Sequence, residues 1–418
     1  MKDADTKKIS GFILFLFCFF IYTPVLKFAP ILTYAISYGV PFAYIFLNTG
    51  VNFIISPRQI RVIGLAVVLL FLSFLYPTLH GTGEYSYVKV STFIFRRVIV
   101  YNFLAFAVAK KHEEKACTEY FIYYYALTHA AYVTGTLLLV FIPPLNTAWF
   151  SVFANSTSNE KVLGAFGYTF RTGWLGFSGY RLTLGCTLSC IMLCYMFFKG
   201  NEKFRLDKKY FAPVFILCFL GNLFYGRSGL VVTVIAVFIE LVVWNSRNIM
   251  IFVKFTAAAV LMFLIVYMCR DLPVMSDWYI WALKPFENLI ETGSFNNKSV
   301  DNLQHMFFMP EFDTILFGDG YYTVGGLYYM HTDSGIMRNI LFWGILGSFL
   351  SYEMTVASMI YLKDLSKILF AIMVASFAFF EYKGDVYYEY ASLFLAASFT
   401  ENYRRKITDD KRYYEYVP

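Results

Sequence analysis

Long uninterrupted runs of apolar residues constrain this chain more than any other feature of its sequence. Most runs are about 16–25 residues long, close to the roughly 20 residues that a helix needs to cross the hydrocarbon core of a bilayer. They lie near residues 9–26, 29–50, 61–79, 88–109, 118–142, 179–198, 210–225, 228–244, 249–268, 337–361, 367–382 and 386–400. Only 15% of the 418 residues are charged, too few to cover a water-exposed surface. The sequence predicts an all-α integral membrane protein, with about 12 transmembrane helices in a single domain over residues 1–418.

The basic residues predict how these helices are oriented. Lys and Arg concentrate in the connections between alternate runs, as the positive-inside rule requires of cytoplasmic loops. Those connections contain Arg58 and Arg61, residues 110–115, residues 199–209, Arg247 and Lys254, Lys363 and Lys367, and residues 404–406. With both termini in the cytoplasm, residues 143–178 and 269–336 form two large outer loops, which would be periplasmic if the protein lies in a bacterial inner membrane.

Composition and motifs argue against several other functions. The net charge of +7 is spread over the basic connections and does not form one face, so nucleic-acid binding is not expected. Cys186, Cys190 and Cys194 recur every fourth residue, which places them on one side of a helix as packing residues, without disulfide or zinc spacing. No Walker loop, dinucleotide fingerprint or His-Glu-x-x-His motif is present. The sequence predicts no metal site and no cofactor.

Aromatic residues are abundant in both long loops. The first loop contains Trp149, Phe150, Phe166, Phe170, Trp174 and Phe177, and the second contains Trp278, Trp281, Phe286, Phe307, Phe308, Tyr321, Tyr322, Tyr328 and Tyr329. Such residues are typical of helices or loops that lie at the depth of the lipid headgroups, and they also suit a sugar-binding face. The sequence leaves both alternatives open.

Two adjacent arginines, Arg96 and Arg97, fall near the middle of the run at 88–109. A charge at the centre of a span costs about 3 kcal/mol or more unless it faces a polar cavity or a partner. Arg97 is therefore a candidate for binding an anionic substrate. The alternative is a structural ion pair, or a shallower span boundary that lets both side chains reach water.

A second candidate, Arg227, lies in a tight turn between two apolar runs. Gly226 and Gly229 permit close backbone approach, and Ser228 can cap the following helix. A guanidinium beside the free amides of a helix N-terminus is suited to holding a pyrophosphate. The alternative is an interfacial arginine that anchors a span.

Arg171 and Arg181 flank a glycine-rich segment just before the run at 179–198. The segment either forms a re-entrant turn that presents both guanidiniums to an anionic headgroup, or leaves two interfacial arginines beside a flexible loop. The sequence does not distinguish between these alternatives.

The last polar group comprises His331, Asp333 and Arg338, with Asp319 upstream. Glycosyl transfer needs a base for the acceptor hydroxyl and a group that stabilises the leaving phosphate. His331 or Asp333 suits the first role, and Arg338 suits the second without a metal. The alternative is that Asp333 or Ser334 only caps a helix and His331 is a surface residue.

Several of these segments, taken in order, resemble the bacterial O-antigen polymerase family (Wzy-type) and the related O-antigen ligases. They are Phe224-Tyr-Gly-Arg-Ser-Gly229, Phe317-Gly-Asp-Gly320, His331-Thr-Asp-Ser-Gly-Ile-Met-Arg338, Phe342-Trp-Gly-Ile-Leu-Gly347 and Glu381-Tyr-Lys383. The two outer loops and the cytoplasmic termini fit the same family. The family pattern of an arginine, ten residues and a glycine is not met after Arg171 or Arg338.

The resemblance implies a GT-C-type fold and a membrane glycosyltransferase. Its substrates would be donor and acceptor repeat units linked to undecaprenyl pyrophosphate in the membrane lipid, and a chain-length regulator is a further candidate partner. Arg227 would contact the pyrophosphate, Asp333 or His331 would be the acceptor base, and Arg338 would assist with the phosphate. Arg171, Arg181, Arg97 and Asp319 are the remaining candidates for substrate binding.

Two alternative functions remain for such a chain. An O-antigen ligase would use the same donor but a lipid A-core acceptor. A flippase of the lipid-linked sugar is expected to have inverted repeats, short outer loops and polar residues at midplane on several helices. Because the polar groups here concentrate in outer loops, the sequence favours an enzyme.

Overall fold

The computed structural model describes residues 25–43, 55–112, 117–153, 179–199, 208–245, 257, 261, 264, 267–272, 276, 279–280, 283–292 and 305–415. The helices in these residues are α1 (Pro30–Tyr34), α2 (Pro57–Leu79), α3 (Ser86–His112), α4 (Cys117–Phe141), α5 (Pro143–Val152), α6 (Gly179–Lys199), α7 (Lys208–Tyr225), α8 (Arg227–Asn245), α9 (Lys284–Thr292), α10 (Phe312–Phe317), α11 (Gly335–Met359), α12 (Leu362–Leu365), α13 (Lys367–Lys383) and α14 (Tyr387–Glu415). Two short strands, β1 (Thr323–Val324) and β2 (Leu327–Tyr328), form an antiparallel hairpin, and a 3₁₀ turn follows at Tyr329–His331.

Among the described residues, six helices are long and apolar enough to cross a membrane. They are Pro57–Leu79, Ser86–His112, Cys117–Phe141, Tyr180–Lys199, Arg227–Trp244 and Gly335–Leu365, and Lys209–Tyr225 is a shorter apolar helix. This confirms the predicted all-α membrane class. The predicted runs at 9–26 and 249–268 lie almost entirely outside the described residues, so the count of about 12 helices stays a prediction.

Serine residues define the start of several helices. At α2, the Ser56 hydroxyl accepts a hydrogen bond from the Gln59 amide (3.4 Å), and the Gln59 side chain accepts one from the Ser56 amide (2.9 Å). The hydroxyl of Ser334 accepts from the amide of Met337 (3.5 Å) at the start of α11. Each bond satisfies an amide that has no partner within its helix. The cap of α11 is therefore Ser334, and the neighbouring Asp333 carboxylate is not used for capping.

The chain clusters into two compact units. Of the described residues, those within Ile36–Phe121 and Lys298–Pro418 belong to unit 1, and those within Phe15–Ala35 and Ile122–Asn297 belong to unit 2. In unit 1, α14 packs along α3, and α11 packs against α2, α10 and α14. Fully buried aromatic side chains, among them those of Tyr87, Phe342, Trp343 and Tyr387, fill the core of this unit.

In unit 2, α6 packs against both α7 and α8. Cys186, Cys190 and Cys194 are buried free thiols on α6, which confirms the prediction that they are packing residues. The side chain of Asn222 on α7 accepts a hydrogen bond from Thr187 (3.0 Å) and donates one to Thr233 (2.8 Å). These bonds join the three helices through side chains that are buried inside the unit.

Gly226 and Gly229 make the close approach at the turn between α7 and α8 that the sequence predicts. A Cβ atom at Gly229 would lie 2.6 Å from Oδ1 of Asn222 and 2.8 Å from Oγ1 of Thr187. The turn therefore has no room for a side chain at this position. Because α8 begins at Arg227, Ser228 lies within its first turn and not before it.

We predict that Gly229→Ala lowers the free energy of unfolding by about 1–3 kcal/mol, because the added methyl group forces the turn away from α6. Gly64→Ala on α2 is the matched control, since a Cβ atom there would meet no atom within 4 Å. Thermal unfolding of the purified variants in detergent provides the measurement. Equal midpoints for the two variants would contradict the packing described here.

Candidate functional site

The candidate site in unit 1 is built around a break in α11. The backbone leaves the helical conformation at Trp343 (φ −133°, ψ 16°) and Gly344 (φ +67°, ψ −166°), and the helix resumes beyond them. Just before the break, the carbonyl groups of Leu341 and Phe342 accept hydrogen bonds from outside the helix. Backbone groups in an apolar interior need such partners, so the break requires a segment that supplies amide donors.

The segment Phe317-Gly-Asp-Gly320 supplies those donors. The amide of Asp319 donates to the carbonyl of Leu341 (2.7 Å), and the amide of Gly320 donates to that of Phe342 (3.1 Å). Gly318 and Gly320 have φ values of +66° and +70°, which favour glycine. A Cβ atom at Gly318 would lie 2.5 Å from the Phe342 carbonyl oxygen. Both glycines are therefore explained by the docking of this segment.

The side chain of Asp319 has local partners. Its carboxylate accepts a hydrogen bond from the hydroxyl of Thr314 (2.7 Å) and another from the phenol of Tyr329. Burial raises the pKa of Tyr329, and the adjacent carboxylate raises it further. Asp319 therefore links α10 to the 3₁₀ turn that follows the hairpin, and its role in substrate binding stays a prediction.

The hairpin of β1 and β2 projects from this segment. Its tip, Gly325-Gly326, has φ values of +60° and +81°, as a tight two-residue turn with matching strand twist requires. Glu84 anchors its first strand by accepting hydrogen bonds from the amide of Tyr322 (3.1 Å) and the hydroxyl of Thr323 (2.9 Å). The hairpin is thus fixed on the β1 side.

Arg338 lies beneath this hairpin, in the second turn of α11. The residue is 7% exposed, and its Cζ atom lies 4.2 Å from the ring centroid of Tyr322 and 3.7 Å from that of Tyr328. Its Nε is buried and makes no hydrogen bond to any residue that the structure describes. Aromatic stacking holds a planar guanidinium while its N–H edge remains a donor for an oxyanion. A buried donor of this kind is the expected foundation of an anion site.

Two buried carboxyl groups belong to the polar network around Arg338. Glu381 is 2% exposed, accepts a hydrogen bond from the side chain of Asn339 (2.9 Å), and is close enough to Arg338 for their charges to interact. Asp385 accepts a hydrogen bond from the hydroxyl of Tyr322 (3.0 Å). Glu381 thus fixes Asn339, the neighbour of Arg338 on α11, and Asp385 fixes Tyr322, whose ring lies against the guanidinium.

A buried tyrosine, Tyr87, links this network to the core. Its hydroxyl donates to Oδ1 of Asn339 (2.6 Å) and lies 3.3 Å from the hydroxyl of Tyr387. Its ring stacks on Phe342 with centroids 4.4 Å apart, and contacts Trp343 edge-on at 4.6 Å. The broken segment of α11 and the polar network are therefore held by the same side chain.

The two candidate bases lie on the loop that leads into α11, and both are exposed. Met330 and His331 have φ values of +53° and +56°, a strained conformation for residues other than glycine. Neighbouring protein atoms raise the pKa of Asp333 by desolvation, whereas the positive charge of Lys383 lowers it. The net shift is upward, so Asp333 is a stronger base than an ordinary aspartate.

Arg97 is buried in unit 1 and has a protein partner. Its guanidinium lies 3.6 Å from the carboxylate of Glu389 and donates to the hydroxyl of Tyr101 (3.0 Å). This geometry corresponds to the structural ion pair that was the alternative for this residue. Substrate binding by Arg97 stays a prediction.

The other predicted arginines are not in unit 1. Arg227 is the first residue of α8 and Arg181 lies in the first turn of α6, and both are half-buried. Arg171 lies outside the described residues. Their convergence with Arg338 on one site stays a prediction.

Some residues of this site could have been predicted from sequence patterns that the sequence analysis did not use. The pattern Tyr-Tyr-x-x-Gly-Gly-x-Tyr-Tyr at 321–329 is typical of a hairpin with a Gly-Gly turn. Asn339 is a polar residue within an apolar run, which is a sign of a buried network. Tyr87 and Asp385 have no comparable signal, because nothing near them in sequence indicates their partners.

Comparison of the chain with protein-family models, with curated proteins and with solved structures finds no match. The structure defines the class as an all-α membrane protein. Any more specific function rests on the chemistry of the residues around Arg338.

We predict that Gly318→Ala destabilises the protein by roughly 2–5 kcal/mol. The substitution places an alanine in a left-handed backbone conformation, and its Cβ atom clashes with the Phe342 carbonyl. Gly325→Ala is the matched control. The φ of Gly325 (+60°) is similar to that of Gly318, but a Cβ atom at Gly325 meets open space. The control is expected to cost about 1 kcal/mol. Unfolding titrations in mixed micelles would measure the difference, and equal costs would show that the segment is not docked on α11.

Proposed function

We propose that this protein is a membrane glycosyltransferase that polymerises oligosaccharide repeat units linked to undecaprenyl pyrophosphate, and so makes O-antigen or a related surface polysaccharide. The growing chain is transferred from its lipid carrier to a new lipid-linked unit, and the lipid diphosphate is released. The proposal includes a GT-C-type fold of about 12 helices, cytoplasmic termini and a site that faces the periplasm of a bacterial inner membrane. A chain-length regulator is a candidate partner.

The observation that carries this proposal is the environment of Arg338. This guanidinium is 7% exposed and lies against two tyrosine rings, and its buried Nε has no hydrogen-bond partner among the described residues. Such a group is prepared for an oxyanion. The leaving group of the proposed reaction is a diphosphate, on which negative charge develops as the glycosidic bond breaks. A donor that is already fixed in place stabilises that charge without reorganisation, and this is a large source of catalysis.

The loop before α11 supplies the second requirement, a proton acceptor. Asp333 or His331 would take the proton from the acceptor hydroxyl, and both are exposed on the loop that leads to Arg338. Asp333 is supported by its raised pKa, which brings its proton affinity closer to the working pH. Arg227, Arg181 and Arg171 would contact other parts of the lipid-linked substrates.

We predict that deletion of the gene in the parent bacterium leaves a single repeat unit on the lipopolysaccharide core, seen by gel electrophoresis. Expression of the Arg338→Ala variant in the deletion strain should not restore polymer, since loss of such a donor lowers turnover by about 100-fold or more. Arg58→Ala is the matched control, because Arg58 forms an ion pair with Asp364 that is exposed on both sides, and it should restore polymer fully.

Other outcomes of the deletion would contradict the polymerase. Polymer that remains on its lipid carrier, with no unit on the core, would identify a ligase. Accumulation of lipid-linked units on the inner leaflet would identify a flippase. Normal polymer in cells that carry Arg338→Ala at wild-type abundance would eliminate the role of this arginine.

A pH prediction tests the base. If Asp333 accepts the proton, activity rises with pH as Asp333 ionises, and the midpoint lies above the ordinary aspartate pKa because desolvation raises it. Lys383→Met removes the charge that opposes this shift, so the midpoint should move to higher pH.

Lys89→Met, at an exposed lysine of α3, is the control and should leave the midpoint unchanged. Initial rates with purified protein and lipid-linked units give the profile. An unmoved midpoint in Lys383→Met would favour His331.

A further inference from the structure

The break in α11 separates two parts of the helix that have different surroundings. Between residues 335 and 344, α11 has no exposed residue. Directly after the break, Ile345, Leu346 and Phe349 are 56%, 57% and 63% exposed. Large apolar side chains that are exposed together on a membrane helix face lipid. The lipid-facing part of α11 therefore begins at the break and not at the first residue of the helix.

The length of the helix indicates the same boundary. The apolar stretch from Gly335 to Leu365 has 31 residues, about 46 Å of helix, and the hydrocarbon core of a bilayer is about 30 Å thick. Residues 345–365 alone give about 31 Å, which matches that thickness. The turns of α11 before the break are not needed for the span, and these turns carry Arg338.

A neighbouring helix, α2, marks both edges of the same layer. Near its start, the guanidinium of Arg58 lies 3.1 Å from the carboxylate of Asp364 on α12. Near its other end, a Cβ atom at Gly320 would lie 3.1 Å from the carbonyl oxygen of Tyr76. The 23 residues of α2, about 34 Å of helix, thus run from the level of α12 to the level of the segment that is docked at the break.

The short helix α10 lies at this boundary and presents apolar side chains outwards. A Cβ atom at Gly344 would clash with the backbone of α10, so α10 packs on the break itself. Phe312 and Phe317 are 72% and 60% exposed, and the carboxylates of Glu311 and Asp313 belong to exposed residues beside them. Exposed aromatic rings next to exposed charges suit the interface of a bilayer, where the rings enter the acyl layer and the charges stay in water.

We propose that α10 is an interfacial helix that contacts the bilayer through Phe312 and Phe317, and that the break in α11 marks the edge of the hydrocarbon core. Arg338 lies five residues before Trp343, so it is about 8 Å outside that edge, at the depth of the lipid headgroups. An anion carried by a lipid reaches this depth without leaving the bilayer. The position of α10 does not depend on the proposed function, whereas the use of this depth by a lipid-linked diphosphate rests on it.

Photoreactive phospholipids measure this depth. The purified full-length protein is reconstituted in nanodiscs of phosphatidylcholine that carries a diazirine either next to the glycerol (shallow) or at the methyl end of an acyl chain (deep). Labelled residues are identified by mass spectrometry after irradiation. We expect the shallow diazirine to label α10 and Ile345, and the deep one to label Val68, the middle residue of α2.

Other labelling patterns would overturn the proposal. If the span began at Gly335, Ile345 would lie about 15 Å deep, near the centre of the bilayer, and the deep diazirine would label it together with α10. If water or another protein covered α10, neither diazirine would label this helix. Because no sugar is used, the expected labelling in a protein that makes no polymer would contradict only the proposed function.

Phe312→Ser tests the contact of the ring with lipid. Shallow labelling of α10 should fall by about tenfold, the factor that corresponds to about 1.4 kcal/mol, because burial of a phenylalanine side chain contributes at least that much. Asp313→Ser is the matched control and should keep wild-type labelling, since its carboxylate lies in water. Unchanged deep labelling of Val68 in both variants shows that the helices are intact. An equal fall in the two variants, or no fall in Phe312→Ser, would contradict the contact.

Discussion

The arrangement of unit 1 depends on two hydrogen bonds at the break in α11. The carbonyls of Leu341 and Phe342 accept from the amides of Asp319 and Gly320, at 2.7 and 3.1 Å. In an apolar environment, a break in a helix is stable only when its backbone groups find partners, and these amides are the partners. Because the hairpin follows directly from this segment, the same bonds position the rings that lie against Arg338.

The polar network around Arg338 leaves one of its donors available. Arg338 is buried, and two carboxyl groups of its network are held by other residues: Glu381 by Asn339, and Asp385 by Tyr322. Nε of Arg338 is buried and makes no hydrogen bond to the residues that the structure describes, so it keeps its donor. The site can therefore accept an anion without first separating an ion pair.

Apolar runs and short motifs predicted much of this architecture. The runs predicted the membrane class, and the glycines at 226 and 229 predicted a close turn, because both features depend only on neighbouring residues. Ser334 was one of two candidate caps, and the structure selects it. The same local logic predicted a chemical role for Arg338, and that role stays a prediction.

Long-range contacts were beyond prediction. Tyr87 meets Asn339 across 252 residues of sequence, and no local pattern indicates such a pair. For the same reason the buried ion pair of Arg97 with Glu389 was only one of several alternatives. Gly344 belongs to a segment that the resemblance to a known family singled out, but its φ of +67° and the resulting break could not be foreseen.

Solid-state NMR can test directly the central proposal that Arg338 holds the diphosphate of a lipid-linked sugar. The protein is labelled with ¹⁵N-arginine, reconstituted in liposomes with an undecaprenyl-diphosphate sugar, and examined for dipolar coupling between guanidinium ¹⁵N and ³¹P. The wild-type protein should show this ¹⁵N–³¹P coupling. In Arg338→Lys, the part of the coupling that comes from Arg338 should disappear. An unchanged coupling in that variant, or none in the wild type, would contradict it.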